Sequence, residues 1–228
     1  MERSVWLKEI RRTLEEQEDL LAPSYDENWG TIAPMHRQFF TRFLSLCPPR
    51  AHLLDAACGT GKYWPLILGS GRTVFGIDQS QGALLRAREK YPDVLTQKIG
   101  LQDMDYLEAF DGAACMDALE MINPEDWPIV TRNLHRAILP KGYLYFTVEI
   151  TTEEEIKDAF VEGQQLGLPV VYGEVEWVID DGYHWGKGGC YHYYPQIGQV
   201  TEWVRQAGFQ MIDENAEDEY HHFLVQKQ

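Results

Sequence analysis

The chain has 228 residues, with 20 Lys plus Arg against 36 Asp plus Glu, a formal charge of −16. Hydrophobic residues make up 44% and charged residues 25%, a globular composition that buries about 70% of its unfolded surface, so folding requires neither disulfides nor a metal. That charge argues against unaided binding to a phosphate backbone, whose affinity comes from Lys and Arg displacing counterions, and no nucleic-acid partner is expected.

Residues 1–22 place Trp6, Ile10, Leu14 and Leu21 on a narrow helical stripe, read as a lid, a dimer contact or packing against other helices. A second helix is expected over 34–46, with Phe39, Phe40, Phe43 and Leu44 on its apolar face. After Pro48-Pro49 a strand over 52–57 runs into Cys58-Gly59-Thr60-Gly61, and a helix follows. Residues 73–77 form a second strand, and Ser80 caps a helix to about Tyr91. Residues 94–99 and 112–116 are third and fourth strands, both too apolar to alternate, which suits strands covered on both faces. Asn123-Pro124-Glu125-Asp126 reads as a helix start, with Asn as cap and Pro first, continued by Trp127, Val130, Leu134 and Ile138. Lys141-Gly142 turns the chain into a fifth strand over 143–148, and Glu153-Glu154-Glu155 suits the first turn of a helix capped by Thr151 or Thr152. Residues 163–195, rich in Gly, Tyr and Trp, read as an inserted hairpin or lid. A helix over 196–207 precedes strands at 209–213 and 221–225, an antiparallel edge pair joined by an acidic turn. Alternating strands and helices imply an α/β fold, a doubly wound, mostly parallel sheet with right-handed crossovers.

No apolar run reaches the roughly 18 residues of a membrane span, and Met1-Glu2-Arg3-Ser4-Val5-Trp6-Leu7-Lys8-Glu9 carries charges where a secretory signal is apolar. Cys47, Cys58, Cys115 and Cys190 show no CxxC spacing, so reduced thiols and a cytoplasmic location are expected.

In such a sheet, ligands bind beyond the carboxyl ends of the strands where the strand order reverses. Two features sit at such ends. Asp55-Ala56-Ala57-Cys58-Gly59-Thr60-Gly61 lets the backbone approach a ligand closely. Asp78, 19 residues after Gly59, ends the second strand with a carboxylate able to accept both hydroxyls of a ribose. Gly59 and Gly61 are followed by Lys62, Tyr63 and Trp64, so the third glycine of a dinucleotide fingerprint is missing and NAD is not the expected cofactor.

The stretch resembles motif I of the class I S-adenosylmethionine-dependent methyltransferases. The resemblance continues through Val74-Phe75-Gly76-Ile77-Asp78-Gln79-Ser80, Gly100-Leu101-Gln102-Asp103-Met104, Phe110-Asp111-Gly112 to Asp117-Ala118-Leu119-Glu120, Leu139-Pro140-Lys141-Gly142-Tyr143-Leu144 and Ala207-Gly208-Phe209. It covers about 51–150 and 196–226 and implies a seven-stranded Rossmann-like domain with S-adenosyl-L-methionine as cofactor. The whole chain, 1–228, is then one domain: a helical lid at 1–46, a cofactor-binding core at 51–150, a substrate-side insertion at 163–195, and a C-terminal helix and strand pair at 196–228. By the same resemblance, Asp55, Ala57, Gly59, Thr60 and Gly61 hold the methionine portion and Asp78 the ribose. Gln79, Leu101 and Gln102 frame the adenine, and Asp117 lies near the sulfonium. Tyr25 is either a closing aromatic lid or a packing residue between helices.

Methyl transfer from an activated donor draws much of its rate from alignment and exclusion of water, and it requires a base only if the acceptor loses a proton. His192 is the candidate for acceptor contact or proton removal, followed by His184 and Trp185. Strand alternation places His192 and Tyr194 on one face. Glu120 lines the acceptor pocket or forms a surface pair, and Met121, where the family often has His, reads as packing. The aromatic insertion suits a planar or cationic acceptor, or it fills its own small core. Cys115 reads as a buried apolar residue, and no metal is expected, since Cys190 and His192 lack further ligands at zinc spacing. The function expected is methyl transfer to a small-molecule acceptor by a monomer or homodimer. A silent cofactor-binding partner, or a protein or RNA methyltransferase with a docking subunit, are the alternatives.

Overall fold

The computed structural model describes residues 1–178, 182–186, 188–217 and 219–228. β1 (His52–Ala56) pairs in parallel with β2 (Thr73–Asp78) on one side and β4 (Phe110–Cys115) on the other. Four of its five residues are buried; a strand covered on both faces is mostly apolar, as Leu53, Leu54 and Ala56 are, and Asp55 is its one buried polar member. With β3 (Leu95–Lys98), β5 (Ile138–Glu149), β9 (Phe209–Glu217) and β10 (Tyr220–Lys227), the order is β3-β2-β1-β4-β5-β10-β9. β10 runs antiparallel to both of its neighbours. The chain winds outward from β1 to β3 and then returns to β4, so the switch point lies between β1 and β4.

Side chains alternate across β5 and β10 into two cores. Phe146, Val148 and Phe223 meet α6 (Trp127–Ala137) and α8 (Ile197–Ala207) through Trp127, Val130, Leu134 and Val200. Tyr145 and Leu224 join α3 (Pro34–Leu46), α4 (Trp64–Gly69) and α5 (Gln81–Lys90) through Phe40, Phe43, Trp64 and Leu84.

Several local expectations are corrected. β3 is an edge strand with Leu95 exposed, rather than a doubly covered one. α6 starts at Trp127, not Pro124, because Asn123 and Asp126 bond to each other and close a separate turn first. β5 begins at Ile138, and the expected turn at Lys141, which has φ 67°, is a bulge within it. Most of the acidic stretch after 213 lies in β9, which pairs with β10 as far as Glu217.

The insertion is more than a hairpin. α7 (Glu153–Gln165), with a complete Thr152–Glu155 capping box, extends into it. A second antiparallel sheet follows, β7-β6-β8, from β6 (Glu174–Val178), β7 (Gly182–Tyr183) and β8 (Cys190–Tyr193). Its ends meet where the Tyr194 N–H donates to the Gly173 carbonyl at 2.8 Å. α1 (Arg3–Leu21) spans from this sheet to the main one. Its Trp6 packs on Trp185 and Tyr191, and Asp19 accepts from the Ser80 hydroxyl and Gly82 N–H at the start of α5.

Candidate active site

The carboxyl ends of β1 and β2 are tied by one side chain. Asp78 accepts the Gly59 N–H on Oδ2 and the Ser80 N–H on Oδ1, both at 2.8 Å. A carboxylate has about four acceptor positions, so Asp78 retains capacity to accept from a ligand hydroxyl. Burial pushes this carboxyl upward, against the pull of those amides. Gly59 (φ 52°) and Gly61 (φ 81°) turn in the left-handed region, where a side chain is strained. The place a Cβ would take at Gly59 is open, with the cavity alongside, whereas at Gly61 it would lie 2.8 Å from the Trp64 ring. Trp64 thus fills the space under the turn and donates from Nε1 to Asp55 at 2.8 Å. Asp55 lies deeper than a surface ligand contact, and burial, opposed by that bond, raises its carboxyl to about 7. Thr60 gives its hydroxyl to Asp26 at 2.6 Å, anchoring α2 (Tyr25–Trp29) and so placing Tyr25 over the turn.

Beyond β4, Asp117 (φ 52°) is the hub of the site. Its carboxylate faces His36 Nε2 at 2.9 Å and receives Lys62 Nζ at 3.2 Å, the Tyr63 hydroxyl at 3.0 Å and the Thr147 hydroxyl at 3.1 Å. Burial disfavours the anion, but the bonds and charges of His36, Lys62 and Tyr63 outweigh it and hold the carboxyl at about 2. Asn133 on α6 donates to the Leu101 and Gln102 carbonyls, both at 3.0 Å, which sets the loop after β3.

These elements enclose a cavity of about 770 Å³, within the range of small-ligand and cofactor sites. It is lined by Tyr25, Asp55, Ala57, Gly59, Thr60, Asp78, Gln79, Leu101, Gln102, Asp117, Glu120 and His192 from the sequence reading. Gly61 shapes the turn without lining the cavity. Tyr194 is also absent from its wall but bonds residues that form it: its hydroxyl donates to Glu149 Oε2 at 3.2 Å, accepts from Trp177 Nε1 at 2.6 Å and faces His192 Nδ1 at 3.1 Å. With its single proton given to Glu149, Tyr194 leaves Nδ1 as the donor and Nε2 as the lone pair of a neutral His192. Burial holds that ring at about 4.

Two expectations are corrected by position. His184 faces Glu162 at 3.5 Å, away from the cavity. Trp185 is buried against Trp6, with Nε1 donating to the Ala159 carbonyl at 2.7 Å. Both serve the insertion's own packing.

Glu18, His36, Lys62 and Glu149 are site residues that the sequence pattern did not single out, whereas Trp177 is one of the insertion's aromatics and does line the cavity. Glu18 and Glu149 border the cavity, and each carboxyl is raised to about 7, chiefly by burial. For Glu18 and His36 a signal was present, since each interrupts an apolar helical stripe: Leu14-Glu18-Leu21 in α1 and His36-Phe39-Phe40-Phe43 in α3. Among the described residues, no group of three or more His, Cys, Asp and Glu is placed to hold a metal. Nor is any helix among them long and apolar enough to cross a membrane.

Residues 53–142, which carry the Asp55, Asp78 and Asp117 ends of the sheet, match the methyltransferase domain family. Over this core the chain is similar to the class I S-adenosylmethionine-dependent methyltransferases. It is 26% identical over 219 residues to demethylmenaquinone methyltransferase of Symbiobacterium thermophilum, covering 86% of this chain and 84% of that one. It is 30% identical over 129 residues to dTDP-4-amino-2,3,4,6-tetradeoxy-D-glucose N,N-dimethyltransferase of Saccharopolyspora spinosa, covering 56% and 50%. The chain spans about half the length, or less, of most curated relatives it matches. The fold is shared with 1,6-didemethyltoxoflavin-N1-methyltransferase of Burkholderia thailandensis, solved with its toxoflavin precursor and S-adenosylhomocysteine, at TM-score 0.68 and 17% identity over 96% of this chain and 89% of that one. The family's cofactor is S-adenosylmethionine, and this methyltransferase core suits it: Asp78 keeps acceptor capacity toward the cavity, Gly59 leaves room at the turn, and Leu101, Gln79 and Gln102 line the cavity beside them.

Proposed function

We propose that the chain transfers the methyl group of S-adenosylmethionine to a small-molecule acceptor held in the same cavity. The observation that carries this reading is the continuity of the cavity from Asp78 and the Gly59 turn, past Asp117, to Glu120, Glu149, Trp177 and His192 on the far wall. One end offers groups suited to an adenosyl donor; the other, apart from Glu120, belongs to elements outside the matched core. A relative named for an amino-sugar and a structural neighbour solved with 1,6-didemethyltoxoflavin support a small acceptor, and the charge of −16 disfavours nucleic acid. The four free cysteines are in keeping with a reducing cytoplasm.

When bound, the cofactor supplies a methyl on a positively charged sulfur that leaves as a neutral thioether. The chain's own contribution is placement. Asp78 holds the ribose, Asp117 presents fixed negative charge, and α1, Tyr25 and the β7-β6-β8 sheet act as the lid that excludes water. His192, neutral with a free lone pair at Nε2, contacts the acceptor or removes its proton.

Asp78→Ala is expected to weaken S-adenosylhomocysteine binding by about 1.5–3 kcal/mol, the scale of hydrogen bonds to a charged group. Calorimetry giving an unchanged Kd would remove Asp78 from the ribose. His192→Ala is expected to lower turnover more than cofactor affinity, and an unaltered rate would take it out of the site. Labelling with methyl-tagged cofactor across small-molecule, tRNA and protein extracts tests the whole reading. Label confined to the last two, or tight cofactor binding with no labelled product at all, would overturn it.

A further inference from the structure

Glu120, in the 3₁₀ turn after β4, and Glu149, at the end of β5, form the part of the cavity wall whose charge is least answered. Glu120 is 3% exposed, and its Oε2 has no hydrogen-bond partner among the described residues. Glu149 accepts from the Tyr194 hydroxyl at 3.2 Å and faces His192 Nδ1 at 3.3 Å, so the buried Glu120 oxygen is the unanswered one, and a second carboxyl beside it adds to its cost. The lysine and arginine lining the cavity are already engaged, Lys62 with Asp117 and Arg11 with Asp126. The same cavity is lined by Trp177 and the neutral His192, both bonded to the Tyr194 hydroxyl.

We propose, resting on the methyl-transfer reading above, that the acceptor is an amine captured as its ammonium ion between Glu120 and Glu149, which then take the proton that frees its nitrogen. An ammonium supplies the missing positive charge and up to three N–H donors, and the Trp177 face suits a cation. An alcohol supplies one hydrogen and no charge, and a carboxylate would be repelled. Burial raises both carboxyls, Glu149 to about 7; an ammonium beside them favours the ionised form, and the carboxylate so formed takes the proton. One N–H bond breaks, its proton passes to a carboxylate oxygen, and the electron pair stays on nitrogen. That pair forms the N–C bond to the donated methyl, while the electrons of the S–C bond remain on sulfur.

The test is calorimetric titration of the protein, saturated with S-adenosylhomocysteine, with tyramine and with tyrosol, which differ only in an amine or hydroxyl at the chain end. Tyramine is expected to bind about tenfold more tightly, the difference between a charged and a neutral hydrogen bond. In the Glu120→Gln, Glu149→Gln double variant the preference should shrink to about threefold or less on the same scale, with cofactor-product affinity within about twofold of the parent. Its melting temperature should stay at or above the parent's, because two buried charges are gone. The comparison in the unmodified protein decides by itself: equal binding, a preference for tyrosol, or binding of neither overturns the proposal. Failure of S-adenosylhomocysteine itself to saturate the protein would instead overturn the reading beneath it.

Discussion

Asp117 gathers side chains from three separate stretches: His36 from α3, Lys62 and Tyr63 from the turn after β1, and Thr147 from β5. Removing one member of such a cluster strands the others. Asp117→Ala should therefore cost about 3–5 kcal/mol, the scale for a buried ion left without its partner, in urea melts followed by circular dichroism. A loss below about 1 kcal/mol would mean Lys62 and His36 turn out to water and the cluster is only a surface-grade contact. Legibility at this scale followed the backbone. Asp78 and Asp117 were readable because they end apolar strands, where side chains must point at whatever lies beyond the sheet. Glu149 was hidden because Glu149-Ile150-Thr151 carries no turn signal, and only the pairing of β5 with β10 brings Glu149 opposite Tyr220. His184 and Trp185 misled because aromatic content cannot distinguish a ring facing a ligand from one filling a small core.

At the scale of elements, α1 is the part whose role its own pattern announces least. The stripe of Trp6, Ile10, Leu14 and Leu21 foretells a helix with one buried face but not what covers that face. In the fold α1 meets the insertion at both ends, where Arg3 bonds Glu174 and Gln17 donates to the Gly188 and Gly189 carbonyls, and its last turn is also held by α5 through Asp19. These contacts join segments from 63 to 172 residues apart, which no local periodicity encodes. Trp6→Ala should cost about 3–5 kcal/mol, the range for deleting a large core ring, and the loss should be local. Hydrogen exchange should quicken in α1 and β8 while β1, β4 and β5 stay protected; uniform acceleration would show instead that the helix is integral to the sheet's core.

Across the whole molecule, the acidic cavity ties stability to pH. Free Glu and Asp titrate near 4.5 and 3.8, but folded Glu18, Asp55 and Glu149 keep their protons to about 7. The folded state therefore binds more protons in that window, and stability falls as pH rises through it. His192 and His222, held at about 4 against an ordinary 6.5, act in the opposite sense, adding stability as pH climbs between those values. Above 6.5 only the carboxyls remain, so Tm of the ligand-free chain should drop between about pH 6.5 and 8. Glu149→Gln should make that drop shallower; a flat or rising Tm in the parent would contradict the burial of these acids. One feature of the outline reaches further. Because the Tyr194 amide closes on the Gly173 carbonyl, the excursion between them departs and returns through a single doorway. Such a loop is a cassette: a lineage can trade it for another and take up new chemistry without rebuilding the half that grips the donor.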